Sequence, residues 1–208
     1  MNTAASKHRL TVEEYLAIEE TAGYKSEFYD GEMFAMSGGN FTHSTLKVNL
    51  YGQLYARLRG GECRLSDSDM RVLVPATGLH VYPDASVVCG PPQFTSAQET
   101  TLVNPHLIVE VLSPSTERYD RTSKFWHYQT IASFTDYVLV TQDTPQVEHF
   151  HRNANGEWLY QSYKGLDAVL KLPAQRIEIP LHEIYDNVVF AATTAASDDV
   201  SHPNPPIL

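Results

Sequence analysis

One carboxylate interrupts an otherwise apolar run. Glu110 lies inside His106-Leu107-Ile108-Val109-Glu110-Val111-Leu112. A carboxylate in a buried strand is costly unless something pairs with it. Upstream, Asp84 closes the triplet Tyr82-Pro83-Asp84 in another strand-like stretch. On adjacent strands the two side chains can converge on one face. Two hard oxygen donors there suit Mg²⁺ or Mn²⁺, since Mg²⁺ keeps several waters and takes one or two protein carboxylates. An ion so held stabilises charge on a phosphate and acidifies a bound water. The chemistry indicated is metal-assisted hydrolysis of a phosphate ester. Taken alone, Asp84 reads first as a turn residue after proline, whereas Glu110 reads as functional. A purely structural Glu110, hydrogen-bonded in the core, is the plain alternative.

A hydrolytic site of this kind also needs a cation. Residue 112 shares a face with residue 110, but this chain carries Leu112. Lys124, on the following helix, is the substitute, because its long stem can bring an ammonium to the sheet edge. Asp120 and Lys124 are spaced i,i+4, so a surface ion pair is an equal reading. His43, in the first turn of a long helix, reads first as solvent-facing and second as approaching the metal. Glu27 reads first as an outward strand residue and second as an auxiliary carboxylate. Lys47, Arg118 and Arg121 are scattered basic residues of the kind that are usually solvated.

These residues need elements to position them. Thr11 and Glu14 have capping-box spacing and predict a helix over about 12–20. Asp30-Gly31 between two alternating runs predicts a hairpin. Leu46, Leu50, Leu54 and Leu58 predict an amphipathic helix over about 42–59, stopped by Gly60-Gly61. Residues 70–74 and 80–88 read as strands around a turn at 76–78, and 90–104 as a polar loop. The run 106–112, apolar on both faces, reads as a central covered strand. Ser113-Pro114-Ser115-Thr116 opens a helix over about 117–131, and 137–140 is the next strand. A hairpin of 146–152 and 157–163 turns at Asn155-Gly156. A short strand at 176–179 and a helical turn at 181–185 follow. Residues 1–9 read as a loose arm, and the Ala-, Ser- and Pro-rich stretch from 191 as a disordered tail. The fold class is mixed α/β or α+β, one domain over 10–190 with helices packed on a central sheet.

Composition narrows the functional classes. The 208 residues are 42% hydrophobic and carry a formal charge of -10. That charge argues mildly against nucleic acid, because phosphate binding rests on Lys and Arg. A bound cation changes the local field, so the objection is not decisive. Cys63 and Cys89 fit no zinc spacing; one disulfide between them is possible, but they read first as two buried thiols in a reducing compartment. The N-terminal stretch lacks an apolar core, and no run is long enough to span a membrane. The expected location is cytoplasmic, without membrane association. Gly-rich phosphate loops, GxSxG, HExxH and CxxC motifs are all missing from the sequence.

The joint order of several motifs resembles a large bacterial family of mostly uncharacterised restriction-endonuclease-like proteins. The motifs are Glu27-xx-Asp30-Gly31-Glu32, Met36-Ser37-Gly38 to His43, Tyr82-Pro83-Asp84, Leu107 to Thr116, and Asp120-Arg121-xx-Lys124-xxx-Tyr128. The resemblance covers about residues 10–190. It implies the PD-(D/E)XK nuclease fold, a mixed sheet flanked by helices with a carboxylate-bound Mg²⁺. Asp84 then takes the motif aspartate position and Glu110 the motif acid. The motif lysine is missing at 112, and Lys124 takes the place of a migrated lysine. His43 and Glu27 are auxiliary site candidates. DNA is the implied substrate, and a homodimer is the form common among nucleases that cut both strands. A nuclease-fold module that binds nucleic acid or protein without cleavage is the rival reading, favoured by Leu112 and the acidic charge.

Overall fold

A computed structural model describes residues 9–190. The arm, apart from Arg9, and the tail from 191 lie outside the described residues. The chain opens with α1 (Val12–Thr21), whose capping box joins Thr11 and Glu14 reciprocally. The hairpin β1 (Ser26–Tyr29) and β2 (Glu32–Ala35) turns at Asp30 and Gly31, both with positive φ, as a two-residue primed turn requires. Then α2 (Phe41–Leu58) starts at Asn40, whose side chain accepts the His43 N–H at 2.8 Å.

Six further strands follow before the next helix. They are β3 (Cys63–Ser66), β4 (Arg71–Val74), β5 (Leu79–Val81), β6 (Ala85–Cys89), β7 (Thr101–Leu102) and β8 (Leu107–Val111). After β8 come α3 (Glu117–Tyr119), a π turn (Asp120–Lys124) and α4 (Phe125–Tyr128). The chain continues through β9 (Asp136–Val140), β10 (Gln146–Arg152) and β11 (Trp158–Lys164). A final hairpin of β12 (Val169–Leu172) and β13 (Ile177–Pro180) leads into α5 (Leu181–Ile184).

Two main sheets share the molecule. One has the order β2-β1-β5-β4-β7. The other, with the order β11-β10-β9-β8-β6-β3, is mixed, since β8 and β9 run parallel while β6 and β8 are antiparallel. Strand β8 is covered on both faces, as its composition predicts. Leu107, Val109 and Val111 pack in one cluster with Leu46, Leu50, Leu54 and Leu58 of α2 and with the β12–β13 hairpin. Ile108 and Leu112 pack on the other side with Phe125, Tyr128, Phe134 and Tyr137. Each fully buried leucine contributes about 1.5–3 kcal/mol, which fixes α2 against the sheet.

Several expectations need correction. The single strand expected over 80–88 is two strands in different sheets, broken at Tyr82-Pro83-Asp84. Pro83 has no N–H to give a ladder, so the crossing falls there at no cost in backbone hydrogen bonds. The stretches β3, β7 and β12 escape a periodicity search because they are short. The helix expected over 117–131 is interrupted by the π turn and ends at Tyr128. Cys63 and Cys89 are not separate thiols. They are cross-strand partners in the β3–β6 pair and form a disulfide, a pairing that depends on strand register and not on sequence spacing.

Candidate active site

The break between the sheets is what positions Asp84. It lies one residue before β6, and β6 pairs with β8 through Ala85 opposite Val109. The two segments exchange hydrogen bonds at this point. The Asp84 backbone N–H donates to Glu110 Oε2 at 3.3 Å, and Asp84 Oδ2 accepts the Val111 N–H at 2.8 Å. Asp84 and Glu110 are therefore clasped across adjacent segments.

Each carboxylate has its own basic partners. Asp84 Oδ1 lies 3.1 Å from Lys47 Nζ, and its Oδ2 lies 3.2 Å from His43 Nε2. Both basic residues come from the first turns of α2, with side chains four residues apart on one face. Lys47 also donates to Ser68 Oγ at 2.9 Å, and the Tyr51 hydroxyl donates to the Asp84 carbonyl at 2.6 Å. Glu110 Oε1 lies 2.8 Å from Lys124 Nζ and accepts the Tyr128 hydroxyl at 3.2 Å. Lys124 further reaches Glu27 at 3.1 Å and Asp120 at 3.4 Å.

All five sequence candidates thus fall in one neighbourhood, and two first readings are reversed. His43 does not face solvent, and Glu27 is not an outward strand residue. Their side chains are only 15% and 13% exposed, turned toward Asp84 and Lys124 respectively. The Asp120–Lys124 pair is not on the surface either, because both residues are buried. The π turn that contains both is the local reason. An i→i+5 turn widens the helix and redirects its side chains, and such turns occur often at functional sites. Leu112 packs into the aromatic cluster as an ordinary core residue.

Sequence reasoning underrated Lys47, Asp120 and Tyr128. A usable signal was present for two of them. Asp120, Lys124 and Tyr128 recur at intervals of four, so a polar stripe faces inward where an apolar one would be expected. Lys47 carries no such mark, since only the docking of α2 brings it to Asp84.

Charge and burial set the protonation states. Burial pushes the Asp84 carboxyl up, but the His43 contact, the Lys47 ammonium and the Val111 N–H outweigh it and hold it below the usual range. Burial lifts Glu110 to about 8, with Lys124 opposing and the Asp120 and Asp84 charges assisting. Burial alone would lower the Lys124 ammonium, yet Glu110, Tyr128, Glu27 and Asp120 hold it protonated well above its normal value.

The donor set fits a hard divalent ion. Asp84 is ionised, and Glu110 is a carboxyl whose charged form calls for added positive charge. Within the described residues the one group of three His, Cys or acidic ligands lying within 4.8 Å of one another is elsewhere, at Asp136, His149 and His151. Two carboxylates still suffice for Mg²⁺, which draws its remaining ligands from water and substrate.

Comparison with known proteins gives consistent relatives. The family profile described as Uma2, putative restriction endonuclease, matches residues 12–181. Two uncharacterised proteins of Synechocystis are similar. One is 37% identical over 182 residues, covering 88% of this chain and 94% of the relative. The other is 33% identical over 177 residues, covering 85% of this chain and 100% of the relative. A crystal structure of a putative nuclease from Anabaena variabilis superposes with a TM-score of 0.68 at 15% identity, covering 85% of this chain and 97% of that one. At that identity the likeness speaks for the fold alone, and it matches the mixed sheet flanked by helices.

Proposed function

This chain belongs to the Uma2 family, and on that premise we propose that it is a divalent-metal-dependent endonuclease hydrolysing DNA phosphodiester bonds. Asp84 and Glu110 would hold Mg²⁺ or Mn²⁺, and Lys124 serves as the catalytic lysine in place of Leu112. The observation that carries the reading is the Lys124 ammonium, 2.8 Å from Glu110 although it comes from a helix beyond the strand.

The ion would supply Lewis-acid charge against the phosphate and acidify a water. The chain's own residues do the rest. His43 and the Val111 N–H fix the orientation of the Asp84 carboxylate. Tyr128 anchors Glu110 Oε1. Glu27 and Asp120 hold Lys124 protonated and aimed, so that its ammonium is ready to stabilise charge developing on the phosphoryl oxygens. Lys47, the most exposed of these cations at 20%, is placed to contact an incoming phosphate.

Nicking of supercoiled plasmid in Mg²⁺ or Mn²⁺ tests this. The wild-type chain should cut, and Glu110→Gln and Asp84→Asn should not, with unchanged circular dichroism. Full activity in both variants would reject the assignment. A second reading, a binding module without cleavage, is favoured by Leu112 and the -10 charge. Calorimetry in which no metal binds up to millimolar concentration, with or without DNA, would support that reading instead.

A further inference from the structure

A second constellation lies at the other end of the six-stranded sheet and on its opposite face. Asp136 opens β9 and pairs with Leu107, whereas Glu110 pairs with Leu139. The two acids are thus three residues apart along the strands, on the order of 10 Å. Asp136 shares its face with Val138 and Val140, which pack against the α2 side, while Glu110 faces the aromatic cluster. On the neighbouring strand, His151 is directly opposite Asp136, and His149 is two residues away on the same face.

Both imidazoles converge on one oxygen. His149 Nε2 and His151 Nδ1 each lie 2.8 Å from Asp136 Oδ1. Asp136 Oδ2 accepts the Thr135 hydroxyl at 2.7 Å and the Gln175 side-chain N–H at 3.1 Å. Gln175 comes from the turn between β12 and β13, so three segments meet here. Hydrogen bonding accounts for the carboxylate. It does not account for Gln175 Oε1, which is buried without a partner on the same amide that touches Asp136. Gln175 itself is 8% exposed.

We propose that Asp136, His149 and His151 form a transition-metal site of the Zn²⁺ class, distinct from the hydrolytic centre, with Gln175 Oε1 as a further oxygen donor. Two imidazole nitrogens, which are borderline donors, make this set suit Zn²⁺ or Co²⁺ better than Mg²⁺, with the carboxylate and the amide oxygen completing it. Ligands about 2.0–2.1 Å from a tetrahedral ion lie about 3.3 Å apart. The two imidazoles therefore need to open from Asp136 by only about half an ångström. His151, with its side chain 24% exposed, leaves a path from solvent. The site would tie the β9–β10 pair to the C-terminal hairpin, a structural role for which a closed ligand set is suited.

Co²⁺ titration of the untagged full chain tests this. One Co²⁺ per chain should bind with visible d–d absorption, and added Zn²⁺ should bleach it and raise the melting temperature. His149→Asn and His151→Asn should each weaken binding by more than about 100-fold, beyond what losing an outer partner costs. The Asp84→Asn/Glu110→Gln double variant should keep the absorption. The wild-type titration and the double variant do not depend on whether the histidine variants fold. A wild-type chain that gives no such absorption would overturn the site. So would absorption that survives in both histidine variants, or that disappears with Asp84 and Glu110.

Discussion

Glu110 and Asp136 are both buried carboxylates on adjacent strands of one sheet, yet their surroundings drive them in opposite directions. Asp136 accepts four donors at 2.7–3.1 Å, all from short, packed side chains. Burial pushes its carboxyl up, but the His149, Thr135 and His151 contacts more than offset this and hold it low. Glu110 has Lys124, Tyr128 and one backbone N–H, and it also has Asp84 and Asp120 nearby. Burial first, and then its acidic neighbours, raise it to about 8. Depth alone therefore does not decide the charge on a buried acid. The number and sign of its contacts decide it. Clustered acids are costly in the resting protein and useful where a cation must be bound.

The sharpest way to break this comparison is catalytic. Glu110→Gln or Asp84→Asn should lower plasmid nicking by about 10³-fold or more, since preorganised charge stabilisation at a single group is worth about that much. Asp136→Asn should leave the nicking rate within a few-fold of wild type, as read from initial rates in Mg²⁺. Equal losses at both positions would mean that the two regions are one functional unit.

Stability comes next. Lys124→Met strips Glu110, Asp120 and Glu27 of their shared ammonium and should destabilise the fold by about 3–5 kcal/mol in urea titrations. Adding Glu110→Gln to that variant should recover part of the loss, because one of the stranded acids is gone. The corresponding change in the other region, Asp136→Asn, keeps some of its hydrogen bonds and should cost less, about 1–3 kcal/mol.

The most diagnostic effect is the dependence on pH. In chelator, the folded-state carboxyl of Glu110 lies above its unfolded value of about 4.3. Its contribution to stability is full below that value and is lost as pH rises toward about 8. Asp136 has the opposite sign. Its contribution is present above its unfolded value of about 3.9 and is lost as pH falls through its lower folded value. Denaturation midpoints across pH should therefore flatten between about 4.3 and 8 in Glu110→Gln, and on the acid limb in Asp136→Asn. A midpoint profile in Glu110→Gln that overlies wild type would refute the raised carboxyl.

Local pattern in the sequence was enough to place most elements. The Thr11 and Glu14 capping box, the Asp30-Gly31 turn, the four leucines of α2 and the apolar run at β8 are signals confined to a few residues, and each element formed where its signal lies. Glu110 was conspicuous for the same reason, as a charge in an apolar strand. Lys124 could be named from the chain, but its burial could not. A spacing of four reads alike on a surface helix and in a π turn packed against a sheet.

The sequence by itself determined most of the longer helices and strands and which residue types are out of place in them, because both follow from interactions between near neighbours. Only the tertiary structure decided that residues 80–88 divide between two sheets, that α2 delivers His43 and Lys47 to Asp84, and that Cys63 meets Cys89. It alone brought Asp136 together with two histidines from the next strand and a glutamine from a later turn. These contacts depend on strand register and helix docking, and both are set by burying distant apolar faces against each other.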